Sequence, residues 1–221
     1  ESTGPGSQDL SSEEEKERVI PVLKAIRKQF PDAKLSIDSY KSSVVEEALQ
    51  YDISMINDIT AGCGDSKLLT LLAGSTVPIV LMYSKDSTAR TTIHETQYRD
   101  ILEHVSQFLQ ERIDAVLSAG LDESQIIVDP GMGHFVSSDP KYSYAILAQL
   151  KRLLVLDCPI LVSPSRKSFL AGEESVSPEE RLPATIAASA IAVLHGATYI
   201  RTHDVQAVRR GCEVAENVLA Y

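Results

Sequence analysis

Six short apolar runs, each followed by a polar turn and an amphipathic segment, constrain this chain more than any other feature. The runs are LSID (35–38), ISMIND (53–58), VPIVLMY (77–83), QIIVDPG (125–131), CPILVS (158–163) and ATYIRTHDV (197–205). Strands that are apolar on both faces and alternate with helices are typical of a parallel sheet covered by helices. The pattern predicts an α/β fold, with long helices over residues 95–119 and 141–156.

The two candidate architectures are a (β/α)8 TIM barrel and a doubly wound open sheet. No GxGxxG follows an early strand and no GxxxxGK[ST] occurs, so the usual nucleotide-binding signals of open sheets are absent from the sequence. The regular spacing of strand, loop and helix favours the barrel. Only six strand-like runs are present, and the first element is a helix that starts near Ser11. We therefore expect one domain, residues 1–221, forming an N-terminally incomplete barrel that lacks its first strand, helix and strand.

Composition excludes several classes of function. The formal net charge is -10 and the pI is about 5.0, which argues against binding to nucleic acid or to an anionic membrane surface. No apolar run approaches the roughly 18 residues of a transmembrane helix. The three cysteines are far apart and odd in number, which predicts free thiols in a reducing compartment. The expected location is the cytoplasm, or an organelle matrix if the source is eukaryotic.

Polar residues gather where the apolar runs end. Singly, each could be a helix cap, a turn former or a solvated loop charge. Together, five of the six runs bring ionisable or amide groups to the same end, which in parallel α/β barrels is the reactive face. This joint pattern predicts a functional site, with the candidates Asp38, Asn57, Asp129, Lys167, Ser168, Arg201 and His203.

The residue types suit a ligand with two different ends. Carboxylates such as Asp38 and Asp129 accept hydrogen bonds, so they fit a heterocycle rich in N–H donors. Lys167, Arg201 and His203, with a helix beginning just after His203, suit an anion such as phosphate. The competing interpretation takes Asp38 and Asp129 as the paired acids of a glycosidase. That alternative ranks lower because it leaves the three cationic or imidazole groups without a role.

Several segments together resemble the dihydropteroate synthase family of pterin-binding (β/α)8 enzymes. They are ESTGPGS, SIDSYKSSVVEEAL, INDITAG, IVLMYS, IIVDPGMG, LVSPSRKSFLAG and IRTHDV, in the order and spacing of that family from the first residue to the last helix. DPG alone would be a weak signal, whereas SRKS and R-x-HDV combined with IDSYK and IND are specific. The resemblance implies folate biosynthesis: p-aminobenzoate displaces pyrophosphate from 6-hydroxymethyl-7,8-dihydropterin diphosphate.

The resemblance also implies roles for individual residues. It implies that Lys167, Asp129 and Arg201 are the catalytic residues. The implied binding residues are Asp38, Asn57, Asp129 and Lys167 for the pterin with Met82 packing nearby, Arg201 and His203 for the diphosphate, and Thr3, Pro5 and Ser168 around p-aminobenzoate.

Mg²⁺ is the implied cofactor, but the Asn that usually binds it lies in the first strand of the family. No residue of this chain is therefore assigned as a metal ligand. The implied partners are the two small-molecule substrates, and a homodimer is expected. An unclosed barrel would expose two sheet edges, which also predicts association with itself or with a complementary segment.

Two positions depart from the family pattern. Gly4 stands where the family usually has Arg, and Val136 ends a His134-Phe135-Val136 segment where Phe-Gly-Lys is usual. These departures support an alternative function, an inactive or divergent pterin-binding paralogue. A methyltetrahydrofolate methyltransferase is a further alternative. It would need a corrinoid partner and no diphosphate site, so SRKS and the Arg201–His203 segment argue against it.

Overall fold

The computed structural model describes residues 3–221, in which strands and helices alternate along the chain. The strands are β1 (Leu35–Asp38), β2 (Ile53–Asp58), β3 (Ile79–Met82), β4 (Ile126–Asp129), β5 (Leu161–Val162) and β6 (Tyr199–Ile200). The α-helices are α1 (Ser12–Gln29), α2 (Ser42–Leu49), α3 (Ser66–Ala73), α4 (Ile101–Ser118), α5 (Lys141–Gln149), α6 (Leu182–Leu194) and α7 (Val205–Leu219). Each predicted apolar run contains one of these strands.

The strands are parallel and follow one another in space as they do in sequence. β1 to β4 form one sheet in that order, and β5 pairs with β6. A parallel bridge between Val128 and Ile160 joins the two groups. No strand in this described set is out of sequence order, whereas a doubly wound sheet reverses its order at a switch point. The arrangement is that of the wall of a TIM barrel, which confirms the predicted α/β class.

Apolar side chains pack on both faces of this wall. The larger core lies between the sheet and the helices and includes Ile56, Leu68 and Leu109, each with no measurable exposure. A smaller cluster on the opposite face joins Val80, Ile127 and Leu161 from β3, β4 and β5, with Met55 packed against it. Side chains alternate between the two faces of a strand, so both faces of the strands are apolar. The inner cluster is the packed interior expected of a barrel.

The wall is curved, and its first and last strands approach each other at their carboxyl ends. Arg201, directly after β6, donates from Nη2 to Oδ2 of Asp38 at the end of β1, over 3.1 Å. The two residues are 163 positions apart in sequence. Curvature therefore brings the polar ends of the first and last strands together.

Two predicted helices differ from the observed ones. The helix predicted over residues 95–119 begins only at Ile101, because Asp100 Oδ1 accepts hydrogen bonds from the backbone N–H groups of Leu102 and Glu103 and caps the helix there. The helix predicted over residues 141–156 changes at Gln149 from α to 3₁₀ geometry.

The three-residue repeat of the 3₁₀ segment Leu150–Leu156 matches the spacing of its buried leucines. Leu150, Leu153 and Leu156 are all buried, and residues three apart lie on one face of a 3₁₀-helix. Tertiary packing of this leucine row explains why the α-helix does not continue. Within residues 3–221, none of the helices combines the length and the apolar character needed to cross a bilayer.

A buried ion pair fastens α1 to the loop after β1. Glu15 is 1% exposed and accepts a hydrogen bond of 2.9 Å from Nζ of Lys41. The same ammonium group donates to the backbone carbonyl of Leu10, just before the capping box that Ser11 and Glu14 form at the start of α1. The pair thus ties the N-terminal loop to the segment that follows Asp38.

We expect Lys41→Met to lower the free energy of unfolding by about 3–5 kcal/mol, because it removes the ammonium partner that lies 2.9 Å from the buried Glu15 carboxylate. The matched control is Arg209→Gln, which removes the exposed Arg209–Glu213 pair on α7 and should cost less than about 0.5 kcal/mol. Urea denaturation followed by circular dichroism measures both. Equal losses in the two variants would contradict the structural role of the buried pair.

Candidate active site

The carboxyl ends of the first two and last two strands enclose a small cavity. Asp38, Asn57 and Arg201 line it, with Met55 and Leu161 below them, and its volume is about 270 Å³. The sequence predicted that these three polar residues meet at one end of the sheet, and the structure brings them together. The cavity is apolar at its base and polar at its rim.

Asn57 presents an acceptor that the protein itself does not use. The residue is buried, with 8% exposure, and within residues 3–221 its Oδ1 has no hydrogen-bond partner. Leaving a buried polar atom unsatisfied costs about 1–3 kcal/mol. A ligand N–H donor in this cavity would remove that cost.

Asp58, the next residue, points to the other face of β2 and binds the backbone of the following loop. It is fully buried, and its carboxylate accepts hydrogen bonds from the backbone N–H groups of Thr60 and Gly62 at 2.8 and 2.7 Å. Asp58 therefore shapes the loop after β2. The alternation along the strand is what leaves Asn57, and not Asp58, available to a ligand.

Asp129 is the most deeply buried carboxylate of the predicted site, with 2% exposure. Its Oδ1 accepts a 2.8 Å hydrogen bond from the backbone N–H of Gly131, and the hydroxyl of Ser163 lies 3.4 Å from Oδ2. Burial raises the pKa of the Asp129 carboxyl to about 6, although the nearby positive charge of Lys167 opposes the rise. Near neutral pH the group is therefore a desolvated carboxylate that lacks a strong partner on Oδ2.

Lys167 approaches Asp129 from the loop after β5. Its Nζ donates to the carbonyl oxygen of Met132 at 3.0 Å and lies 4.8 Å from the centre of the Phe135 ring. Burial lowers the pKa of the Lys167 ammonium to about 8, and the negative charge of Asp129 opposes this fall. Between about pH 6 and pH 8 both Asp129 and Lys167 are charged.

Two glycines with positive φ follow Asp129 in the loop after β4. Gly131 has φ +68°, and a Cβ there would collide with the backbone carbonyl of Tyr83. Gly133 has φ +63°, and a Cβ there would lie 3.4 Å from Cδ of Lys167. Both conformations are ones that L side chains rarely adopt. The turn after Asp129 thus requires glycine at position 131, and the positive φ favours glycine at position 133.

The loops after β5 and β6 form the cationic side. The Arg201 side chain is 54% exposed and pairs with Asp38, while Nδ1 of His203 lies 2.8 Å from the hydroxyl of Ser165. The backbone N–H of His203 also donates to this hydroxyl, over 3.1 Å. α7 begins two residues later, at Val205. Ser165 thus sets the position of His203 beside the start of a helix.

The predicted residues of the N-terminal loop do not line the cavity around Asp38, Asn57 and Arg201. The carbonyl oxygen of Thr3 accepts a hydrogen bond from the N–H of Thr91, and the Thr91 hydroxyl donates to the carbonyl of His134 at 2.9 Å. Pro5 is exposed. The loop after β3 therefore connects Thr3 to the segment that contacts Lys167.

Met82 and Ser168 border neighbouring cavities. Met82, 4% exposed, lines a cavity of about 300 Å³ between the loops after β2 and β3, together with Ser84 and Lys85. Ser168 lines another cavity of about 320 Å³ with His134 and Phe169. The structure thus groups Asp38, Asn57 and Arg201 tightly and places Met82 and Ser168 at the margins.

Several supporting residues were not predicted from the sequence. Ser163 contacts Asp129 and Ser165 contacts His203 through their hydroxyls. Both serines occupy ordinary positions at the end of an apolar run. Only their alternation within CPILVSPS could have indicated that both face the site. Tyr83 and Tyr98 share a hydrogen bond of 3.0 Å between their hydroxyls, and Tyr98 donates to the carbonyl of Val136. This pair supports the loop after β4 from the helix side.

Comparisons with known proteins agree with this geometry. The family model described as "Pterin binding enzyme" matches residues 1–203. Dihydropteroate synthase of Synechocystis sp. is 35% identical over 98% of this chain and 74% of its own length. The Bacillus subtilis dihydropteroate synthase is 34% identical over 99% of this chain and 73% of its own. The chain thus spans about three quarters of these relatives.

Solved structures show the same similarity. A Yersinia pestis dihydropteroate synthase with a sulfonamide drug complex superposes with a TM-score of 0.93 at 31% identity, over all of this chain and 78% of that one. A Xanthomonas albilineans dihydropteroate synthase with 4-aminobenzoic acid gives 0.90 at 34% identity, over all of this chain and 77% of that one. The chain therefore belongs to the pterin-binding enzyme family and, within it, to the dihydropteroate synthases.

Proposed function

We propose that this chain carries out the dihydropteroate synthase reaction as a single pterin-binding domain, with the site residues in the roles that the resemblance implies. The amine nitrogen of p-aminobenzoate forms a bond to the methylene carbon of 6-hydroxymethyl-7,8-dihydropterin diphosphate. The C–O bond to the diphosphate breaks, pyrophosphate leaves with the electron pair, and the amine loses a proton. Membership of the family supports this reaction.

The observation that carries the assignment of the ring site is an unsatisfied buried amide oxygen in the same site as a buried carboxylate. Asn57 Oδ1 has no partner within the described residues, and Asp129 is a nearly inaccessible carboxylate. A pterin edge presents several N–H donors, which would satisfy both acceptors. Asp38 extends this row of acceptors, and Lys167 can donate to the oxygen or nitrogen acceptors of the ring.

The opposite side suits the leaving group. Arg201 and His203, beside the start of α7, offer donors and positive charge to a diphosphate. As the C–O bond breaks, positive charge develops on the pterin side and negative charge on the departing oxygen. Carboxylates at one end and cations at the other favour that separation, and fixed groups of this kind typically contribute about 3 kcal/mol each.

The p-aminobenzoate would lie toward Ser168 and the N-terminal loop that contains Thr3 and Pro5. Ser168 lines a cavity of about 320 Å³, and a 4-aminobenzoic acid complex is known for the Xanthomonas albilineans relative.

No residue of this chain is proposed as a ligand of the implied Mg²⁺. In residues 3–221 no group of three or more His, Cys, Asp or Glu side chains is arranged to hold a metal ion. The groups proposed for the diphosphate are Arg201 and His203, which are poor ligands for this hard cation. The steps derived for this chain therefore use its own side chains.

The remaining proposals concern surroundings and assembly. Cys63, Cys158 and Cys212 are free thiols, in keeping with a reducing cytoplasm. Helix α7 exposes Val214 and Val218 at 64% and 59%, an apolar surface that a homodimer would cover. No nucleic-acid or membrane partner is proposed, given the net charge of -10.

Removing either charged group of the ring site should weaken pterin binding. We expect Asp129→Asn and Lys167→Met each to lower the affinity for 6-hydroxymethyl-pterin at least tenfold, since a charged hydrogen bond contributes about 1.5–3 kcal/mol. Titration calorimetry measures the affinity, with Lys141→Met on the exposed start of α5 as the control. Unchanged affinity in both site variants would contradict the assignment of Asp129 and Lys167 to the pterin site.

The pH dependence of turnover should reflect both groups. Asp129 is charged above its pKa of about 6 and Lys167 is charged below its pKa of about 8. The value of kcat/KM should therefore be highest between these limits and fall about tenfold per pH unit outside them. Asp129→Asn should remove the acid limb from the residual activity. An acid limb that persists in this variant would assign it to another group.

Gly4→Arg tests the departure from the family at the N-terminal loop. A Cβ at Gly4 would meet no atom within 4 Å, so the arginine has room. If the loop lies beside the anionic substrates, the new guanidinium should raise kcat/KM by roughly tenfold, as a charge-assisted hydrogen bond would. Gly4→Ala is the control and should change little. An inactive paralogue would show no condensation in any of the three proteins.

A further inference from the structure

Arg166 and Asp204 join the two loops that carry the cations of the site. Nε and Nη2 of Arg166 donate to the two carboxylate oxygens of Asp204 at 2.9 and 2.7 Å. This two-point contact fixes orientation as well as distance. The hydrogen bonds from Arg166 hold the pKa of the Asp204 carboxyl below its usual range. Asp204 occupies the N-cap position of α7, yet its carboxylate makes no capping hydrogen bond there.

The backbone of Arg166 is equally constrained. Its φ of +57° lies in the left-handed region, which is uncommon for a residue with a side chain. The N–H of Arg166 donates to the hydroxyl of fully buried Thr185, and its carbonyl accepts from Nη1 of Arg181. Both partners belong to the region around the start of α6. Interactions on both sides of the residue therefore hold a conformation that the chain alone would rarely adopt.

This turn sends the neighbours of Arg166 in different directions. Ser165 contacts the imidazole of His203, whereas Lys167 reaches Met132 in the loop after β4. One short segment thus touches both the group proposed for the ring and the group proposed for the diphosphate. Arg166 lies between these two neighbours.

Sheet pairing alone does not fix that distance. β5 and β6 pair through only two residue pairs, and the last backbone contact between them runs from Arg201 N to Val162 O. Beyond this point the loops are linked by Ser165 and by the Arg166–Asp204 contact. A single hydroxyl permits rotation, whereas the planar two-point contact does not.

We propose that Arg166 and Asp204 are positioning residues that hold Lys167 at a fixed separation from Arg201 and His203. The inference rests on the proposed function, in which Lys167 binds the ring and the other two bind the diphosphate. The bond that breaks lies between those two parts of one substrate. Both ends must therefore be held in register for the methylene carbon to be placed correctly.

Arg166→Gly tests the side-chain contact without disturbing the backbone, because glycine adopts a positive φ freely. Asp204→Asn removes the charge from the other side. The matched control is Arg152→Met, which breaks a similar two-point contact between Arg152 and Asp100, on the helical side of the molecule. All variants and the unaltered chain are titrated with 6-hydroxymethyl-pterin and with its diphosphate.

The unaltered chain should bind the diphosphate more tightly than the alcohol. Arg166→Gly and Asp204→Asn should keep the affinity for the alcohol within about twofold but lose most of the advantage of the diphosphate, with kcat reduced by roughly 10²-fold and the KM for p-aminobenzoate unchanged. Arg152→Met should behave like the unaltered chain. A purely structural role would instead lower both affinities together with the melting temperature.

The exchanged pair Arg166→Asp with Asp204→Arg provides a rescue, since Asp also tolerates a positive φ. It should recover part of the diphosphate preference that either single change loses. If the unaltered chain prefers the diphosphate and Arg166→Gly keeps that preference, the positioning role is wrong. If the unaltered chain shows no such preference, the proposed function itself is wrong, and the two failures are therefore distinguishable.

Discussion

The charge of Asp129, held almost entirely out of water, is the constraint on which the rest of the site depends. A buried carboxylate is tolerated only where hydrogen bonds or opposite charge compensate for lost hydration. Here the compensation comes from Gly131, Ser163 and Lys167. The glycine supplies a backbone N–H, and the segment after β5 supplies the Ser163 hydroxyl and the nearby positive charge of Lys167. The site therefore requires β4 and β5 to be neighbours, which the bridge between Val128 and Ile160 provides.

Most strands and helices could be predicted from the sequence, because the pattern that produces them is local and repeats along the chain. Each strand is an apolar run short enough to be buried on both faces, and each ends in a polar turn. The predictions from sequence were wrong where capping or tertiary packing determines the end of a helix. Asp100, and not the preceding amphipathic pattern, sets the start of α4, and a leucine row of period three converts the end of α5 into a 3₁₀ segment.

The candidate site was predictable in its residues but not in its supports. Asp38, Asn57, Asp129 and Arg201 close strands, so the carboxyl-end rule for parallel sheets identified them. The supporting residues are serines, tyrosines and an arginine whose importance lies in their partners. Nothing in the letters SR shows that Arg166 takes a left-handed conformation or that it reaches Asp204. The two residues are 38 positions apart in sequence, so their contact becomes evident only in the folded structure.

The ion pair between Arg201 and Asp38 has a thermodynamic consequence for the proposed ligand. In the protein without ligand each group already has a partner at 3.1 Å, so a free anion must compete with an internal carboxylate for the guanidinium. In the proposed site, a pterin ring whose N–H donors engage Asp38 would weaken that competition for Arg201. Binding of the ring and of the diphosphate would then favour each other. Pyrophosphate on its own, with no pterin ring in the site to engage Asp38, would have to compete with this carboxylate for the guanidinium.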